Sequence, residues 1–66
     1  MRNLLKVERS KLNITQDELA AKIGVSRQTI NSIENNRYIP STILSLKISC
    51  IFNKTVNEIF LLEDDD

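Results

Sequence analysis

The sequence predicts an all-α fold of five short helices, and three observations support this prediction. Hydrophobic residues make up 41% of the 66-residue chain, with one Gly, one Pro and only 5% aromatic residues, a balance that favours packed helices over a sheet. Ser, Thr or Asn precedes several apolar patterns of helical spacing, as expected for helix caps. Gly or Asn follows most of these patterns, which is typical of helix ends. A chain this short is expected to form one domain, residues 1–66.

The first helix is expected over residues 3–12, with Asn3 as its N-cap. Leu5 and Leu12 should share one face of this helix, with the aliphatic part of Arg9 between them. We expect that face to contact the hydrophobic core.

The second helix is expected over residues 16–23, where the start and end signals agree. Thr15 and Glu18 have the spacing of a capping box, in which each side chain accepts a hydrogen bond from the backbone N–H of the other residue. Gly24 supplies the left-handed conformation that commonly ends a helix, because it has no Cβ.

The third helix is expected over residues 27–35, with Ser26 as its cap. Two capped helices separated by about three residues form a helix-turn-helix, a motif that commonly binds DNA. Ile30 and Ile33 should face inward. The remaining side chains of this helix are polar and face solvent or a partner: Arg27, Gln28, Thr29, Asn31 and Ser32.

The fourth helix is expected over residues 42–52, after a loop that contains Pro40 and with Ser41 as its cap. Asn35 and Asn36 should end the third helix, since Asn tolerates the left-handed conformation better than other non-Gly residues. The fourth helix is apolar on more than one side. One side should contact the first and third helices, and the rest should contact the fifth helix or a second chain. The apolar residues are Leu44, Leu46, Ile48, Ile51 and Phe52.

The fifth helix is expected over residues 56–60, after a second capping box formed by Thr55 and Glu58. An acidic tail follows, residues 63–66. The formal net charge is zero, but this tail holds four of the nine acidic residues. The rest of the chain has nine basic residues against five acidic ones, a net charge of +4, which is compatible with DNA binding.

Ten positions around the helix-turn-helix follow one known signature. They are Gln16, Glu18, Leu19, Ala20, Gly24, Val25, Ser26, Ile30, Ile33 and Glu34. At these positions the chain resembles the Xre/Cro-type helix-turn-helix family, which includes phage repressors and small bacterial transcription regulators. The resemblance covers residues 3–60 and implies a lambda-repressor-like DNA-binding domain. A small subfamily that the chain also resembles pairs its chain ends as a two-stranded sheet, here Met1–Asn3 with Leu61–Glu63.

The resemblance implies that the third helix lies in the DNA major groove. Its base-contacting residues would then be Arg27, Gln28, Thr29, Asn31 and Ser32. Gln28 is the first choice, because it lies in the first turn at the family's main reading position and Gln can bind adenine N6 and N7 together. Arg27 has two open roles, a contact to a base or to a phosphate.

Phosphate contacts are expected from Gln16, Ser26, Asn36, Arg37 and Tyr38. Gln16 begins the second helix, where free backbone N–H groups and the helix dipole favour an anion. Ser26 could act in the same way if its hydroxyl is not fully used as a cap. Tyr38 has an equally good alternative role as a lid on the core.

The resemblance also implies a largely buried ion pair between Arg9 and Glu34, which would connect the first helix to the end of the third. The alternative is two solvated surface charges.

In addition, the family implies a homodimer, because one such domain covers about half of a binding site. The expected dimer interface is Ile51, Ile59, Leu61 and Leu62.

Residue types exclude several other functions. The chain has no His and one Cys, so it offers no internal disulfide and no Cys/His metal site. It has no Ser/His or Cys/His nucleophile pair and no Gly-rich phosphate loop, so we do not expect an enzyme, a cofactor or a small-molecule ligand. No apolar run approaches the ~20 residues of a membrane span, so a cytoplasmic location without a membrane partner is expected.

The expected function is therefore that of a double-stranded DNA-binding transcriptional regulator, more specifically a repressor that binds a near-palindromic operator as a homodimer. The alternative from another class is a protein-binding module of the same fold, either an antitoxin or a partner of another regulator. An apolar C-terminal patch that binds a different protein would favour the alternative, as would weak DNA binding. Single-stranded nucleic-acid binding has less support, because the chain lacks the aromatic platforms that such sites use.

Overall fold

The five helices expected from the sequence are present in the computed structural model, which describes residues 1–66. Their bounds are α1 Leu5–Lys11, α2 Gln16–Ile23, α3 Arg27–Glu34, α4 Thr42–Phe52 and α5 Val56–Ile59. The chain ends pair as a two-stranded sheet, as the resemblance implied, but the second strand begins at Phe60, the expected last residue of the fifth helix, and includes Leu61 without Leu62 or Glu63. Strands β1 Arg2–Asn3 and β2 Phe60–Leu61 are antiparallel, with Arg2 opposite Leu61 and Asn3 opposite Phe60.

Asn3 does not cap α1 in the way that was expected. It lies in β1, the N-cap position belongs to Leu4, and α1 begins at Leu5. The Asn3 side chain bonds in two directions. Its Oδ1 accepts from the N–H of Leu5 at 3.1 Å, and its Nδ2 donates to the carbonyl of Ile33 at 2.9 Å and to Oδ1 of Asn36 at 3.1 Å. Asn3 thereby connects the start of the chain to the end of α3.

The expected inward position of Leu12 is wrong. Leu12 is exposed, whereas Leu5 is fully buried. Since α1 ends at Lys11 and Asn13 takes a left-handed conformation with φ +56°, the chain turns before Leu12 can complete the predicted apolar face. The second buried residue of α1 is instead a charged one, Glu8.

The caps of α2 and α3 have the expected geometry. Thr15 Oγ1 accepts from the N–H of Glu18 at 3.0 Å, and Glu18 Oε1 accepts from the N–H of Thr15 at 2.9 Å. Gly24 ends α2 with φ +75°, and Ser26 Oγ accepts from the N–H of Thr29 at 3.1 Å at the start of α3. The sequence of the turn thus determines where each of the two helices starts and where α2 stops.

Asn36 provides the left-handed residue after α3, with φ +59°. Asn53 does the same after α4, with φ +52°. Asn is one of the few non-Gly residues that enter this region at modest cost, so the chain makes these turns with a single Gly.

The core receives residues from all five helices. α4 packs on α5, as expected, but its other main partner is α2 rather than α1 and α3. Its inward stripe is Leu44, Ile48 and Phe52, with Ile51 partly buried against the core, and Ile43 and Leu46 remain exposed. The fully buried large side chains are Leu5, Leu19, Ile30, Ile33, Ile48 and Ile59.

Candidate nucleic-acid interface

Packing between α2 and α3 determines which face of α3 is available to a ligand. Leu19 and Ala20 of α2 and Ile30 and Ile33 of α3 are buried. The opposite face of α3 is polar. Arg27 and Gln28 are exposed on it, while Thr29, Asn31 and Ser32 are partly buried.

Two shallow depressions border Gln28, one on each side. The first is lined by Gln16, Arg27, Gln28 and Asn31. The second is lined by Ser26, Gln28, Thr29, Ser32, Arg37 and Tyr38. Between them they include nine of the ten residues that the sequence suggested for DNA contacts, and Gln28 is the residue they share. We call these two depressions the α3 face.

Charge on the α3 face suits a polyanion. No carboxylate lines either depression, and one arginine lies in each, Arg27 in the first and Arg37 in the second. Two cations on either side of a row of hydrogen-bonding side chains attract a phosphate backbone while leaving the central side chains free to contact bases.

Asn36 is the suggested phosphate contact that lies outside the α3 face. Its Oδ1 accepts the hydrogen bond from Asn3 that is described above. The structure therefore gives Asn36 a role in joining the turn after α3 to β1.

Arg9 and Glu34 form the ion pair that the resemblance implied. Arg9 Nε lies 2.8 Å from Glu34 Oε2, and Arg9 Nη2 donates to Glu34 Oε1 at 3.2 Å. The side chains are 15% and 4% exposed, so the alternative of two solvated charges is wrong. The hydrogen bond to Glu34 raises the pKa of the Arg9 guanidinium above its usual value. Arg9 also donates from Nη1 to the carbonyl of Ile14 at 3.0 Å, directly before the cap of α2.

Gln16 joins this ion pair. Its Nε2 donates to Glu34 Oε1 at 3.0 Å, so the side chain is oriented by Glu34 rather than free in solvent. A side-chain amide has two hydrogens, and the second one remains available to a phosphate oxygen. The cap uses the N–H of Glu18, whereas the N–H groups of Gln16 and Asp17 have no partner within the helix and can add to an anion site there.

The hydroxyl of Ser26 makes two contacts within the chain. It accepts from the N–H of Thr29 and lies 3.0 Å from the Thr29 hydroxyl, where either oxygen can be the donor. When Thr29 is the donor, the Ser26 hydroxyl keeps its hydrogen for a phosphate oxygen, so the phosphate contact by Ser26 stays a prediction. The N–H groups of Arg27 and Gln28 have no partner within the helix and can add to that contact. Tyr38 is 45% exposed and lines the α3 face, and it also borders a depression that contains the buried Ile23 and Leu44, so both of its expected roles stay predictions.

The four residues suggested for the dimer interface do not form one surface. Ile59 is 0% exposed within the single chain, so it has no surface to bury against a second copy, and its assignment is wrong. Leu61 is partly buried in β2, and Leu62 is 84% exposed. Ile51 is partly buried and lines a groove between α2 and α4 that contains no residue from the chain ends.

A buried carboxylate in α1 was missed by the sequence analysis. Glu8 Oε2 lies 3.2 Å from both Lys11 Nζ and Lys54 Nζ. Burial alone would raise the pKa of Glu8, but the hydrogen bonds and positive charges of the two lysines outweigh it and lower the pKa below 4.5. The signal that could have revealed it is spacing, because Glu8 lies three residues after Leu5 and so on the inward side of α1.

No helix of the structure combines the length and the apolar character that crossing a membrane requires.

Comparison with known proteins agrees with the geometry. A family model described as helix-turn-helix matches residues 5–59. An uncharacterized HTH-type transcriptional regulator of Methanocaldococcus jannaschii is 48% identical over 66 residues, which cover both chains completely. The uncharacterized HTH-type transcriptional regulator YgzD of Bacillus subtilis is 36% identical over 66 residues, again with complete coverage. The ImmF control region 10 kDa protein of Bacillus phage phi105 is 35% identical over 60 residues, which cover 91% of this chain and 67% of that protein.

The matched region contains the capped helices α2 and α3, the ion pair between Arg9 and Glu34, and the whole α3 face. Proteins of this kind are regulators and not enzymes. The chain belongs to the Xre/Cro-type helix-turn-helix family of DNA-binding transcriptional regulators.

Proposed function

We propose that the protein is a cytoplasmic repressor that binds a near-palindromic operator as a homodimer, with α3 in the major groove of each half-site. The observation that carries this proposal is the position of Gln28, exposed and flanked on both sides by depressions that each contain one arginine. A side-chain amide at that position can bind adenine N6 and N7 together, while the arginines neutralise phosphates.

The proposed roles divide by position on the α3 face. Gln28 is the main base contact, with Asn31 and Ser32 further along the helix. Arg27, adjacent to Gln16, takes either a guanine or a phosphate. Gln16, Arg37 and Tyr38 hold the sugar-phosphate backbone at the two edges, with the backbone of Ser26.

Two copies are needed because one α3 face covers only part of one turn of DNA. A symmetric dimer would place two such faces one helical turn, about 34 Å, apart. With Ile59 in the core, Leu62 and Leu61 are the residues of the suggested interface that remain near the chain ends. Occupation of a promoter by this dimer would exclude RNA polymerase, which is the proposed basis of repression.

Selection of bound sites from random duplex DNA, with the purified full chain, tests the proposal. We expect inverted repeats with half-site centres about one turn apart, and a complex that contains two chains per site by sedimentation. Recovery of a single half-site bound by one chain would overturn the homodimer, and absence of any enriched sequence would overturn operator recognition. Transcription in vitro from a promoter that carries the selected site then distinguishes repression from activation.

A further inference from the structure

α4 carries a second apolar stripe that the fold leaves uncovered. Ile43 is 70% exposed and Leu46 is 53% exposed, and Cys50 lies exposed one turn further along. This spacing of three and then four residues places the three side chains on one face of α4, which is not the face that contacts the core. With Ile51 and Ile23 they line a groove of about 430 Å³ between α2 and α4. We call it the α2–α4 groove.

The rim of the α2–α4 groove is positively charged. Lys22 of α2 and Lys47 of α4 are both exposed and both line it. Neither lysine takes part in an ion pair within the chain, and no carboxylate lines the groove. An apolar floor between two unpaired ammonium groups is complementary to a surface that has an apolar ridge with carboxylates beside it.

We propose that the α2–α4 groove binds an amphipathic helix of a different protein, whose apolar ridge is flanked by Glu or Asp side chains. A helix is the element that presents such a ridge, because its apolar residues recur every three or four positions and its acidic residues can lie on either side of them. The ridge would cover Leu46 and Ile43, and the carboxylates would meet Lys22 and Lys47.

A symmetric contact between the grooves of two copies is disfavoured. In a symmetric dimer each patch meets the same patch of the partner, so the rim lysines of one copy would lie near those of the other with no carboxylate between them. DNA is also disfavoured, since the groove floor is apolar and none of the residues of the α3 face lines it. The α2–α4 groove and the α3 face share no lining residue, although a third depression lies between them and borders Tyr38 of the α3 face and Ile43 of the groove.

A synthetic peptide tests this inference on the full chain. The probe is an amphipathic helix of about 18 residues, five turns, with a Leu ridge flanked by Glu. The matched control peptide carries Lys at every Glu position. Titrations by fluorescence anisotropy should show binding of the Glu peptide that is weaker by at least about tenfold for Leu46→Asp, as expected for the loss of a central apolar contact. Circular dichroism and the thermal midpoint establish that each variant is folded.

Charge reversal at the two rim lysines is the second test of the same inference. Lys22→Glu with Lys47→Glu should reverse the preference, so that the Lys peptide binds better than the Glu peptide by about fivefold, the effect of two exposed ion pairs. Equal binding of the two peptides to the unaltered protein would overturn the inference. A Leu46→Asp variant that loses dimer mass would instead assign the groove to a second copy, and lysine variants that lose affinity for DNA without changing peptide binding would make Lys22 and Lys47 phosphate contacts.

Discussion

Arg9 and Glu34 are joined by two hydrogen bonds of 2.8 and 3.2 Å, and the same carboxylate accepts a third hydrogen bond from Gln16. This one carboxylate therefore connects α1, the start of α2 and the last residue of α3. Since the α3 face is built on α3 with Gln16 at its edge, the ion pair determines how α3 is presented to DNA.

Removal of one partner should destabilise the fold strongly. In Arg9→Met, Glu34 keeps its charge in a largely buried place without its cation, at a cost of about 3–5 kcal/mol in the free energy of unfolding. Urea unfolding measures this change. Lys6→Met is the matched control, because Lys6 is exposed on the same helix and forms no ion pair, so it should change stability by less than about 0.5 kcal/mol. The double variant Arg9→Met with Glu34→Met should recover much of the loss. A single variant as stable as the control would contradict a structural role for the pair.

The parts of this fold that were predictable from the sequence depend on contacts between residues close in the chain. The Thr15 and Glu18 capping box, the left-handed Gly24 and the Ser26 cap each involve neighbours at most three residues apart, so the residue types alone determine them. The polar face of α3 followed from the same helix periodicity. The position of Arg37 beside Gln28 was not predictable in this way, because it depends on the loop after α3 folding back along the helix.

Contacts between distant residues account for the errors. Glu8 is paired with Lys54, 46 residues further along the chain, and nothing local to Glu8 indicates that partner. Ile59 lies in an apolar cluster near the chain end, which suggests a dimer surface, but the N–H of Leu4 donates to its carbonyl at 2.8 Å and its side chain is fully buried in the core. The Arg9 and Glu34 pair was found through family resemblance and not through its chemistry.

Gln28→Ala should weaken binding to the selected operator and leave binding to random DNA unchanged. Loss of a bidentate base contact costs about 1–3 kcal/mol, measured as the ratio of dissociation constants in a mobility-shift or anisotropy titration. A double-mutant cycle sharpens the test. If Gln28 reads one base pair, replacing that base pair should weaken the unaltered protein but have little further effect on Gln28→Ala. Additive losses would show that Gln28 contacts something other than that base pair.

Arg37→Ala should weaken binding to all DNA sequences by a similar factor. One phosphate contact fewer reduces the slope of log K against log salt concentration by about one. Arg2→Ala is the matched control, because Arg2 is also an exposed arginine but lies in β1, outside the α3 face. A change in sequence preference with an unchanged salt slope would make Arg37 a base contact.

Leu62→Glu should convert the proposed dimer into a monomer without unfolding the chain, because Leu62 is the most exposed apolar side chain near the chain ends. Sedimentation at several protein concentrations measures the mass. Leu12→Glu is the control, since Leu12 is also an exposed leucine but follows α1. By contrast, Ile59→Glu should unfold the protein, because it would put a charge in the core. A dimer that survives Leu62→Glu would place the interface elsewhere.

The free energy of unfolding should depend on pH through the buried Glu8, because Lys11 and Lys54 lower the pKa of its carboxyl group. The pKa of Glu8 in the folded protein is lowered below 4.5. Its ionised form therefore contributes to stability above pH 4.5, and this contribution is lost as the pH falls through the lowered pKa of the folded state. Because other carboxylates titrate in the same range, the contribution of Glu8 is the difference between the unaltered protein and Glu8→Gln. This difference is measured by urea unfolding between about pH 3 and pH 7.

Replacement of both lysines should reverse the direction in which that difference in stability changes with pH. In Lys11→Met with Lys54→Met, the positive charges are gone and burial alone acts on Glu8, which raises its pKa. The folded protein then binds the proton more tightly than the unfolded chain, so stability rises as the pH falls through the raised folded pKa towards 4.5. A pH dependence with the same sign in both backgrounds would show that the lysines do not control the ionisation of Glu8. Because Lys11 also lowers the pKa of Glu8, the single variant Lys54→Met isolates the contact between Glu8 and Lys54, which joins the first and last thirds of the chain.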